Sequence, residues 1–477
     1  MTEARRLFSS VEVAALAGGT LVGDPAACVL SVTVDSRSVL PGSLFVALLG
    51  ERTDGHAFIE AALASGAACV LACLDRRASL GALGAALRPR SAIVFVPDTL
   101  AALQALARAH RLRFPRLLRI GITGSSGKTT TKECVSAILG SSRAIVLNPG
   151  NLNSDIGLPL SVFAIEEGHE AGIFEMGMNR QGEMGELASV YEPDIALITN
   201  VGAAHIGILG SRDAIAKEKK DIFSRFDGRQ AGFVWEDDDY RVFLKAEVRG
   251  EVLDYGPRST KGLSILEDRG LEGYALSWQE KDFVFPLPGR HNLLDAAAAI
   301  SVASRAGASA TEVARGLSSV RPLFGRSEVI KAECTILQDC YNANPDSVEA
   351  VIALCGSLAW AGRRVYVLGS MLELGQESEA AHRAMGESAG ASGADALFFY
   401  GSEARPAFDA ARLAGFRGLV LFETSFDRLL AALRAYVAPG DLVLLKASRG
   451  MALERVAEAL APNRGSNGRR DRSEGEE

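Results

Sequence analysis

The sequence predicts an α/β protein of several domains, in which mostly parallel strands alternate with helices. Its 477 residues are too many for one hydrophobic core. Short apolar runs alternate with alanine-rich amphipathic segments along most of the chain. A glycine-rich turn at residues 121–131 joins one apolar run to a helical segment. Boundaries expected near residues 97 and 322 divide the chain into domains over residues 1–97, 98–321 and 322–462.

Composition and charge restrict the class of protein. A net charge of −7 and a pI near 5.6 argue against nucleic-acid binding, which needs basic faces. Seven scattered cysteines without a Cys-x-x-Cys pair suggest reduced thiols and a cytoplasmic location. No signal peptide or membrane-spanning run is evident. Residues 463–477 are polar throughout, and we expect a disordered tail.

The first hundred residues predict a small α/β domain. Its expected strands and helices are strands 44–49, 69–72 and 92–96 and helices 9–17, 59–65 and, opening the next domain, 98–113. Polar clusters at residues 35–37 and 54–56 are most simply turns and caps.

The glycine-rich turn predicts a phosphate-binding loop between a buried strand at residues 117–122 and a helix at 132–139. Lys128 supplies a positive charge, and the Thr129 hydroxyl is placed to bind the Mg²⁺ of a nucleotide. Ile122 stands where the strict P-loop pattern has glycine, so an ordinary strand-to-helix turn is the alternative.

Two further strands are expected at residues 171–176 and 195–199. Glu175 and His205 lie at or beyond their carboxyl ends, where open α/β sheets bind ligands. Glu175 would complete a Mg²⁺ shell, although a solvated strand end and a structural histidine are the simpler interpretations. The amide-rich loop at residues 148–159 either forms Asx-turns or contacts substrate.

The remaining segments complete the α/β pattern. A lysine-rich helix is expected over residues 214–223, a small antiparallel region over 229–285, and a capped helix over 296–306. The third region has expected strands at 335–337, 365–368, 396–400 and 442–445. Two polar loops follow strands there, at residues 339–347 and 446–449, and either could hold a nucleotide or a peptide.

These motifs together resemble the ATP-dependent Mur ligases of peptidoglycan synthesis, over about residues 35–454. The family-wide signals are residues 124–130, Glu175, and residues 200–205, 289–292 and 325–326. Residues 54–56, 150–153, 175–183, 341–347 and 371–375 resemble the member that adds a dipeptide. The resemblance implies an N-terminal UDP-binding domain, a central P-loop-type ATPase domain and a C-terminal Rossmann-like domain.

The resemblance also implies a reaction. ATP phosphorylates the free carboxylate of UDP-N-acetylmuramoyl-tripeptide, and the amine of D-alanyl-D-alanine displaces phosphate from the acyl phosphate. The third residue of the tripeptide stays open among diaminopimelate, lysine and ornithine. The implied enzyme is a cytoplasmic monomer that uses ATP and Mg²⁺ and inserts into no membrane.

Site residues follow from the same resemblance. It implies catalytic roles for Lys128, Glu175, His205, Lys219 and Arg326. Nucleotide contacts are implied for Gly124, Ser125, Ser126, Gly127, Lys128, Thr129, Thr130, Asn292 at the adenine, Arg326 at the γ-phosphate, and Asp339 at the ribose. Substrate contacts are implied for Ser36, Asn151, Asn153, Tyr341, Asn342 and Asn344. Metal ligands are implied to be Thr129, Glu175, His205 and a carbamylated lysine, which the alignment places at Lys219, with Lys217 and Lys220 as alternatives.

Four positions depart from the family pattern. They are Asp295 for asparagine, Ser370 for aspartate, Cys340 for serine and Ala447 for glycine. None belongs to the phosphate or metal set, so we expect an active enzyme. The competing interpretations are a sister ligase that adds one amino acid, a nucleotide-binding scaffold without catalysis, and a P-loop kinase with a stable phosphorylated product.

Overall fold

The structure is a computed structural model, and it describes residues 6–50, 53–80 and 89–462. The tail predicted at residues 463–477 lies outside the described residues. The strands are β1 (Phe8–Ser9), β2 (Thr20–Gly23), β3 (Cys28–Val29), β4 (Ser31–Thr33), β5 (Ser43–Val46), β6 (Cys69–Cys73), β7 (Ala92–Val96), β8 (Leu118–Thr123), β9 (Ile145–Leu147), β10 (Ala171–Glu175), β11 (Ile195–Ile198), β12 (Ala231–Trp235), β13 (Glu251–Tyr255), β14 (Leu263–Asp268), β15 (Tyr274–Trp278), β16 (Lys281–Phe285), β17 (Glu328–Lys331), β18 (Thr335–Gln338), β19 (Arg364–Gly369), β20 (Ala396–Tyr400), β21 (Leu419–Glu423) and β22 (Leu442–Lys446).

The α-helices of the described residues alternate with these strands, as the sequence predicts. They are α1 (Ser10–Ala17), α2 (Ile59–Ala64), α3 (Thr99–Arg111), α4 (Lys128–Leu139), α5 (Gly157–Val162), α6 (Glu183–Tyr191), α7 (Ile206–Leu209), α8 (Arg212–Lys220), α9 (Arg241–Lys245), α10 (Arg290–Arg305), α11 (Ala310–Ser319), α12 (Pro345–Ser357), α13 (Ser378–Ala391), α14 (Arg405–Leu413), α15 (Phe426–Tyr436) and α16 (Glu454–Leu460). None of these helices is both long and apolar enough to cross a membrane.

The chain forms two compact units. The first comprises the described residues of Met1–Ile120, Ala144–Met178 and Gly182–Pro193. The second comprises the described residues of Gly121–Arg143, Asn179–Gln181 and Asp194–Glu477. The bounds predicted for the three domains remain a prediction.

The first unit contains a five-stranded sheet of order β2-β7-β6-β5-β4. Its strands pair in parallel except β2 with β7. One face packs on α1 and α3, and the other on α2. Ser9 caps α1 in a capping box with Glu12, and Asp98 caps α3.

A six-stranded sheet of order β13-β12-β11-β8-β10-β9 carries the glycine-rich turn. β12 and β13 pair in parallel beside β11. The expectation of an antiparallel region over residues 229–285 is therefore wrong for its first half. Only β14, β15 and β16 form a separate antiparallel sheet. The buried residues of β12 suit a central parallel strand, because such strands are apolar on both faces.

The C-terminal sheet has the order β17-β18-β22-β19-β20-β21 and is parallel except at β17. Helices cover both faces, and two apolar clusters fill the space beneath them. This is the predicted Rossmann-like arrangement. The four predicted strands are confirmed, while β17 and β21 were not foreseen. Both are edge strands with partly exposed residues, which weakens their apolar signal.

Candidate nucleotide-binding and catalytic site

The glycine-rich turn connects β8 directly to α4. Gly124 (φ +152°) and Gly127 (φ +82°) adopt backbone conformations that favour glycine. A Cβ on Gly124 would lie 1.7 Å from Thr199 Oγ1, so no larger residue fits without rearrangement. Ile122 is buried within β8, and the loop therefore begins after the strand rather than at the position where the strict pattern has glycine.

Asn200 holds this loop in shape. Its Oδ1 accepts hydrogen bonds from the backbone N–H groups of Ser125 at 3.0 Å and Ser126 at 2.9 Å. The Thr199 hydroxyl donates to the Ser126 carbonyl at 2.5 Å, and Gly202 N–H donates to Ser125 Oγ at 2.8 Å. Asn200 was expected only as part of the motif at residues 200–205, with no role of its own. An asparagine directly after the strand next to the loop was the available signal. The phosphate contacts expected of Ser125 and Ser126 stay a prediction.

Helix α4 begins at Lys128, four residues earlier than expected, and Gly127 gives it no side-chain cap. Its first turn carries Lys128, Thr129 and Thr130, which are all half-buried. A helix N-terminus of this kind favours anions. Lys128 Nζ donates to the Gly124 carbonyl at 2.9 Å, which folds the side chain back over the loop. The strand, glycine-rich loop and helix therefore follow one another in the expected order, and phosphate binding by this loop stays a prediction.

Lys219 and His205 lie near Lys128. The side chain of Lys219 is 1% exposed, and burial, followed by repulsion from Lys128, lowers its pKa well below the usual value. Burial also lowers the pKa of His205 to about 4, with Lys128 and Lys219 adding to the effect. His205 Nδ1 is buried without a hydrogen-bond partner among the described residues. The imidazole of His205 is consequently neutral at pH 7.

The neighbouring lysines differ from Lys219. Lys217 is exposed, and the Lys220 ammonium lies 4.5 Å from the centroid of the Phe243 ring. Only Lys219 of the three is buried in α8. The three lysines thus differ in burial, and the choice of Lys219 as the carbamylated lysine stays a prediction.

Asp295 lies in α10 beneath the loop. Its Oδ1 accepts from the Thr131 hydroxyl at 3.0 Å and would be 2.3 Å from a Cβ on Gly127. Burial raises the pKa of Asp295 to about 8, against the lowering effects of Thr131 and Arg326. The helix begins at Arg290 and not near residue 296 as expected, so Asp295 belongs to its second turn.

The residues predicted to hold adenosine form a connected polar group. Asn292, 3% exposed, donates from Nδ2 to the Pro288 carbonyl at 2.7 Å. His291 Nε2 is 3.1 Å from Ser327 Oγ, and Ser327 N–H donates to Asp339 Oδ1 at 2.8 Å. Lys446 Nζ lies 2.8 Å from Asp339 Oδ2. Burial tends to raise the pKa of Asp339, but Lys446 and His291 outweigh it and the pKa is lowered.

The loop at residues 341–347 meets the phosphate loop. The Arg326 guanidinium stacks 4.1 Å from the centroid of the Tyr341 ring. Asn344 caps α12 and donates to Ser126 Oγ at 3.0 Å, while exposed Asn342 accepts from Lys446 through its carbonyl. Asn344 is therefore engaged with the nucleotide loop, a contact that its predicted substrate role did not anticipate.

In the first unit, Glu175 ends β10 and is 4% exposed. Its Oε1 accepts from Asn153 Nδ2 at 2.7 Å. Asn148 bonds both the N–H and the carbonyl of Glu175, at 2.9 and 3.0 Å. The amide-rich loop is thus attached to the predicted metal ligand, with Asn151 exposed at its tip. Half-buried Ser36 begins a short 3₁₀ helix capped by Asp35.

Within the second unit the structure brings together Lys128, His205 and Lys219, and joins Asp339 to Asn292 through His291 and Ser327. Within the first it joins Asn153 to Glu175. No group of three His, Cys, Asp or Glu side chains suited to a metal occurs among the described residues. The predicted ligand set includes a hydroxyl and a modified lysine, which are not among these residue types.

The fold and this site define a nucleotide-binding α/β enzyme with a P-loop-type phosphate loop. Three family models match the chain: the Mur ligase family, catalytic domain, at residues 29–111, the Mur ligase middle domain at 122–303, and the Mur ligase, glutamate ligase domain, at 325–449. The chain belongs to the Mur ligase family.

Similar proteins and solved structures also belong to this family. The UDP-N-acetylmuramoyl-tripeptide–D-alanyl-D-alanine ligase of Treponema pallidum is 45% identical over 91% of this chain and 94% of its own length. A crystal structure of MurF from Acinetobacter baumannii is 27% identical, with a TM-score of 0.84, over 95% of this chain and 98% of that chain. The MurF ligase of Thermotoga maritima in complex with ADP is 28% identical, with a TM-score of 0.77, over 90% of this chain and 96% of that chain. The expected three-domain fold is confirmed.

Proposed function

We propose that this chain is an ATP-dependent ligase that joins D-alanyl-D-alanine to UDP-N-acetylmuramoyl-tripeptide in cytoplasmic peptidoglycan precursor synthesis. The observation that carries the proposal is the 45% identity to a ligase of that name over 91% of the chain. A related ligase that binds ADP supports ATP as the phosphoryl donor.

The reaction brings two anions together. A carboxylate oxygen of the tripeptide attacks the γ-phosphorus of ATP, ADP leaves, and an acyl phosphate forms. The amine of D-alanyl-D-alanine then attacks the acyl carbon, loses a proton and displaces inorganic phosphate. Lys128 and the N-terminus of α4 offset the charge that develops on the transferred phosphoryl group. Arg326 is positioned by its stacking on Tyr341 and would meet the same group.

The chemistry of the donor set fits a Mg²⁺ ion. Thr129 offers a hydroxyl, Glu175 a carboxylate, and His205 a neutral imidazole whose Nδ1 has no hydrogen-bond partner among the described residues. The ion would supply charge neutralisation at the phosphates. Burial lowers the pKa of Lys219 and so favours the unprotonated amine, which adds to CO₂ and releases one proton, giving an anionic oxygen donor. Its burial supports this role over Lys217 and Lys220.

The remaining assignments are proposals for individual residues. Asn292 would contact the adenine and Asp339 the ribose, with Gly124, Ser125, Ser126, Gly127 and Thr130 around the phosphates. Ser36 would contact the sugar nucleotide, and Asn151 and Asn153 the tripeptide. Tyr341, Asn342 and Asn344 would contact substrate from the loop before α12. The enzyme would act as a monomer, without nucleic acid.

The test measures ADP release with ATP, Mg²⁺ and UDP-N-acetylmuramoyl-tripeptide, with and without D-alanyl-D-alanine. Dependence on both acceptors and a product heavier by one dipeptide are expected. Acceptance of a single amino acid would instead identify a sister ligase. Absence of stimulation would leave a nucleotide-binding scaffold, and a stable phosphorylated product would identify a kinase.

Matched variants test the site. Lys128→Ala and Glu175→Ala should abolish turnover while circular dichroism stays unchanged. Lys219→Ala should lose turnover and regain part of it with a small added carboxylate, whereas Lys217→Ala, on the same helix and exposed, should behave as the parent. Normal turnover by Lys219→Ala would remove the carbamate from this position.

A further inference from the structure

We propose that Glu373 is the positioning residue for His205: its carboxylate accepts the Nδ1–H of the imidazole and leaves Nε2 free to bind the metal ion. The inference rests on the proposed metal role of His205. Glu373 comes from the segment before α13, and His205 from the loop before α7, so the pairing joins two distant parts of one compact unit.

The side chains already face each other. Glu373 Oε2 lies 3.6 Å from His205 Nδ1, which is ion-pair range but longer than a hydrogen bond. His205 Nδ1 is buried and has no hydrogen-bond partner among the described residues. The Glu373 side chain is 65% exposed. A shift of less than about 1 Å would bring the pair to hydrogen-bond distance.

Both residues have an unusual backbone conformation. His205 has φ +64° and Glu373 has φ +66°, in the left-handed region that side-chain-bearing residues rarely adopt. Such strain persists where surrounding structure fixes it, and it concentrates at functional sites. The two segments also touch through backbone, since a Cβ on Gly207 would lie 2.7 Å from Gly375 N.

A second contact holds the other end of the same loop. Asp346 Oδ2 accepts from Ala203 N–H at 2.9 Å, and a Cβ on Gly202 would lie 2.0 Å from that oxygen. Residues 202–207 are therefore held on both sides by the C-terminal region, with His205 between the two contacts. These contacts hold the loop that carries His205 beside the segment that carries Glu373.

The chemistry of the pairing is that of a carboxylate–histidine–metal arrangement. A neutral imidazole has one N–H and one lone pair. An acceptor at Nδ1 selects the tautomer with its lone pair on Nε2 and orients the ring. Removing such a partner typically costs about 10- to 100-fold in activity or metal affinity. Metal binding in the central domain thereby depends on the position of the C-terminal domain.

Steady-state kinetics give the first measurement. Glu373→Ala should lower kcat by about 10- to 100-fold, with the KM for each acceptor changed by less than about twofold. Glu373→Gln keeps an acceptor oxygen and should retain most of kcat. Glu387→Gln makes the same charge change at an exposed position of α13 and is the matched control. Melting temperatures of the three variants should agree with the parent.

A second measurement reads the imidazole itself. The chain has six histidines, so ¹⁵N-histidine labelling gives a simple spectrum, and His205→Asn assigns the signal. With ADP and Mg²⁺ the parent and Glu387→Gln should show protonated Nδ1. Glu373→Ala should show a mixture of tautomers. The double variant Glu373→Ala/His205→Asn should be no slower than His205→Asn alone.

The outcomes separate the two proposals. Full turnover by His205→Asn would remove its metal role. Loss of turnover in His205→Asn, with Glu373→Ala matching Glu387→Gln in kcat and tautomer, would overturn the role of Glu373 and leave the proposed function standing. A lowered kcat in Glu373→Ala with an unchanged tautomer would overturn it as well.

Discussion

Replacing Asp295 with asparagine should make the protein more stable, and increasingly so as the pH rises. The Asp295 residue is 6% exposed, and its carboxyl accepts a hydrogen bond from the Thr131 hydroxyl. Burial raises its pKa from 3.8 to about 8. In the unfolded chain the group ionises near pH 4, whereas in the folded protein it keeps its proton to about pH 8. Asparagine has nearly the same shape and carries no charge.

The sign follows from linkage. A group whose pKa is raised by folding contributes stability fully below its unfolded pKa, and this contribution is lost as the pH rises toward the folded pKa. Each pH unit in this window costs about 1.4 kcal/mol. The parent should therefore lose about 4 kcal/mol between pH 4 and pH 7 through Asp295, and Asp295→Asn should not.

Urea unfolding of the nucleotide-free protein, followed by tryptophan fluorescence, gives the assay. Trp235 and Trp278 end strands of the central region, and Trp360→Phe in both proteins removes the signal of the C-terminal region. The difference between Asp295→Asn and parent should grow steadily from pH 4 to pH 8. Thr131→Val removes the hydroxyl that lowers the pKa of Asp295. The stability of this variant should therefore keep falling to a higher pH than that of the parent. A difference that is constant across this range would refute the protonated carboxyl.

Three further predictions concern the loop and its ion pairs. Gly124→Ala places a Cβ 1.7 Å from Thr199 Oγ1, so strain of about 1–3 kcal/mol should lower kcat/KM for ATP by about 10- to 100-fold in an ADP-release assay. Lys128→Met should raise the pKa of His205, measured by NMR titration, because one of the charges that lowers it is removed. Lys446→Met leaves the Asp339 carboxylate without its buried cation and should cost about 3–5 kcal/mol in urea unfolding.

Controls for these variants come from the same chain. Gly210→Ala also has a left-handed glycine (φ +84°) but nothing within 4 Å of the new Cβ, so it isolates backbone strain from the steric clash at Gly124. Equal loss in both would attribute the effect to conformation alone. An unchanged pKa of His205 in Lys128→Met would show that burial alone sets it. Lys331→Met breaks an exposed pair with Glu272 and should change stability by less than about 1 kcal/mol.

The strands and their ends were predictable because local signals and tertiary packing agree there. Glu175 and His205 were placed at strand ends from apolar runs alone, and a helix was expected from residue 9, the residue that caps α1. The start of α10 was missed because the polar residues after Gly289 have the composition of a loop. They are helical because this segment packs against α4.

Contacts between distant loops could not be predicted from local pattern. Asn344 bonds Ser126 across 218 positions, and Asp346 bonds Ala203 across 143. Both residues resemble ordinary helix-capping residues in sequence, and Asn344 does cap α12. Their long-range contacts, with Ser126 and Ala203, form only when the C-terminal region packs against the loops that carry those residues. Such packing is a tertiary property, which neither propensity nor periodicity encodes.

The electrostatics of the second unit explain why anionic ligands suit this site. Lys128 lowers the pKa of both Lys219 and His205, so protonating either group costs additional free energy. An anion placed among them reverses that repulsion and favours their charged forms. ATP phosphates and an acyl phosphate are such anions, and a carbamate on Lys219 would convert one source of repulsion into an attraction. Nucleotide binding should accordingly raise the pKa of His205 above about 4, and ¹⁵N NMR titration with and without ADP measures this. A pKa unmoved by ADP would place the phosphates away from His205.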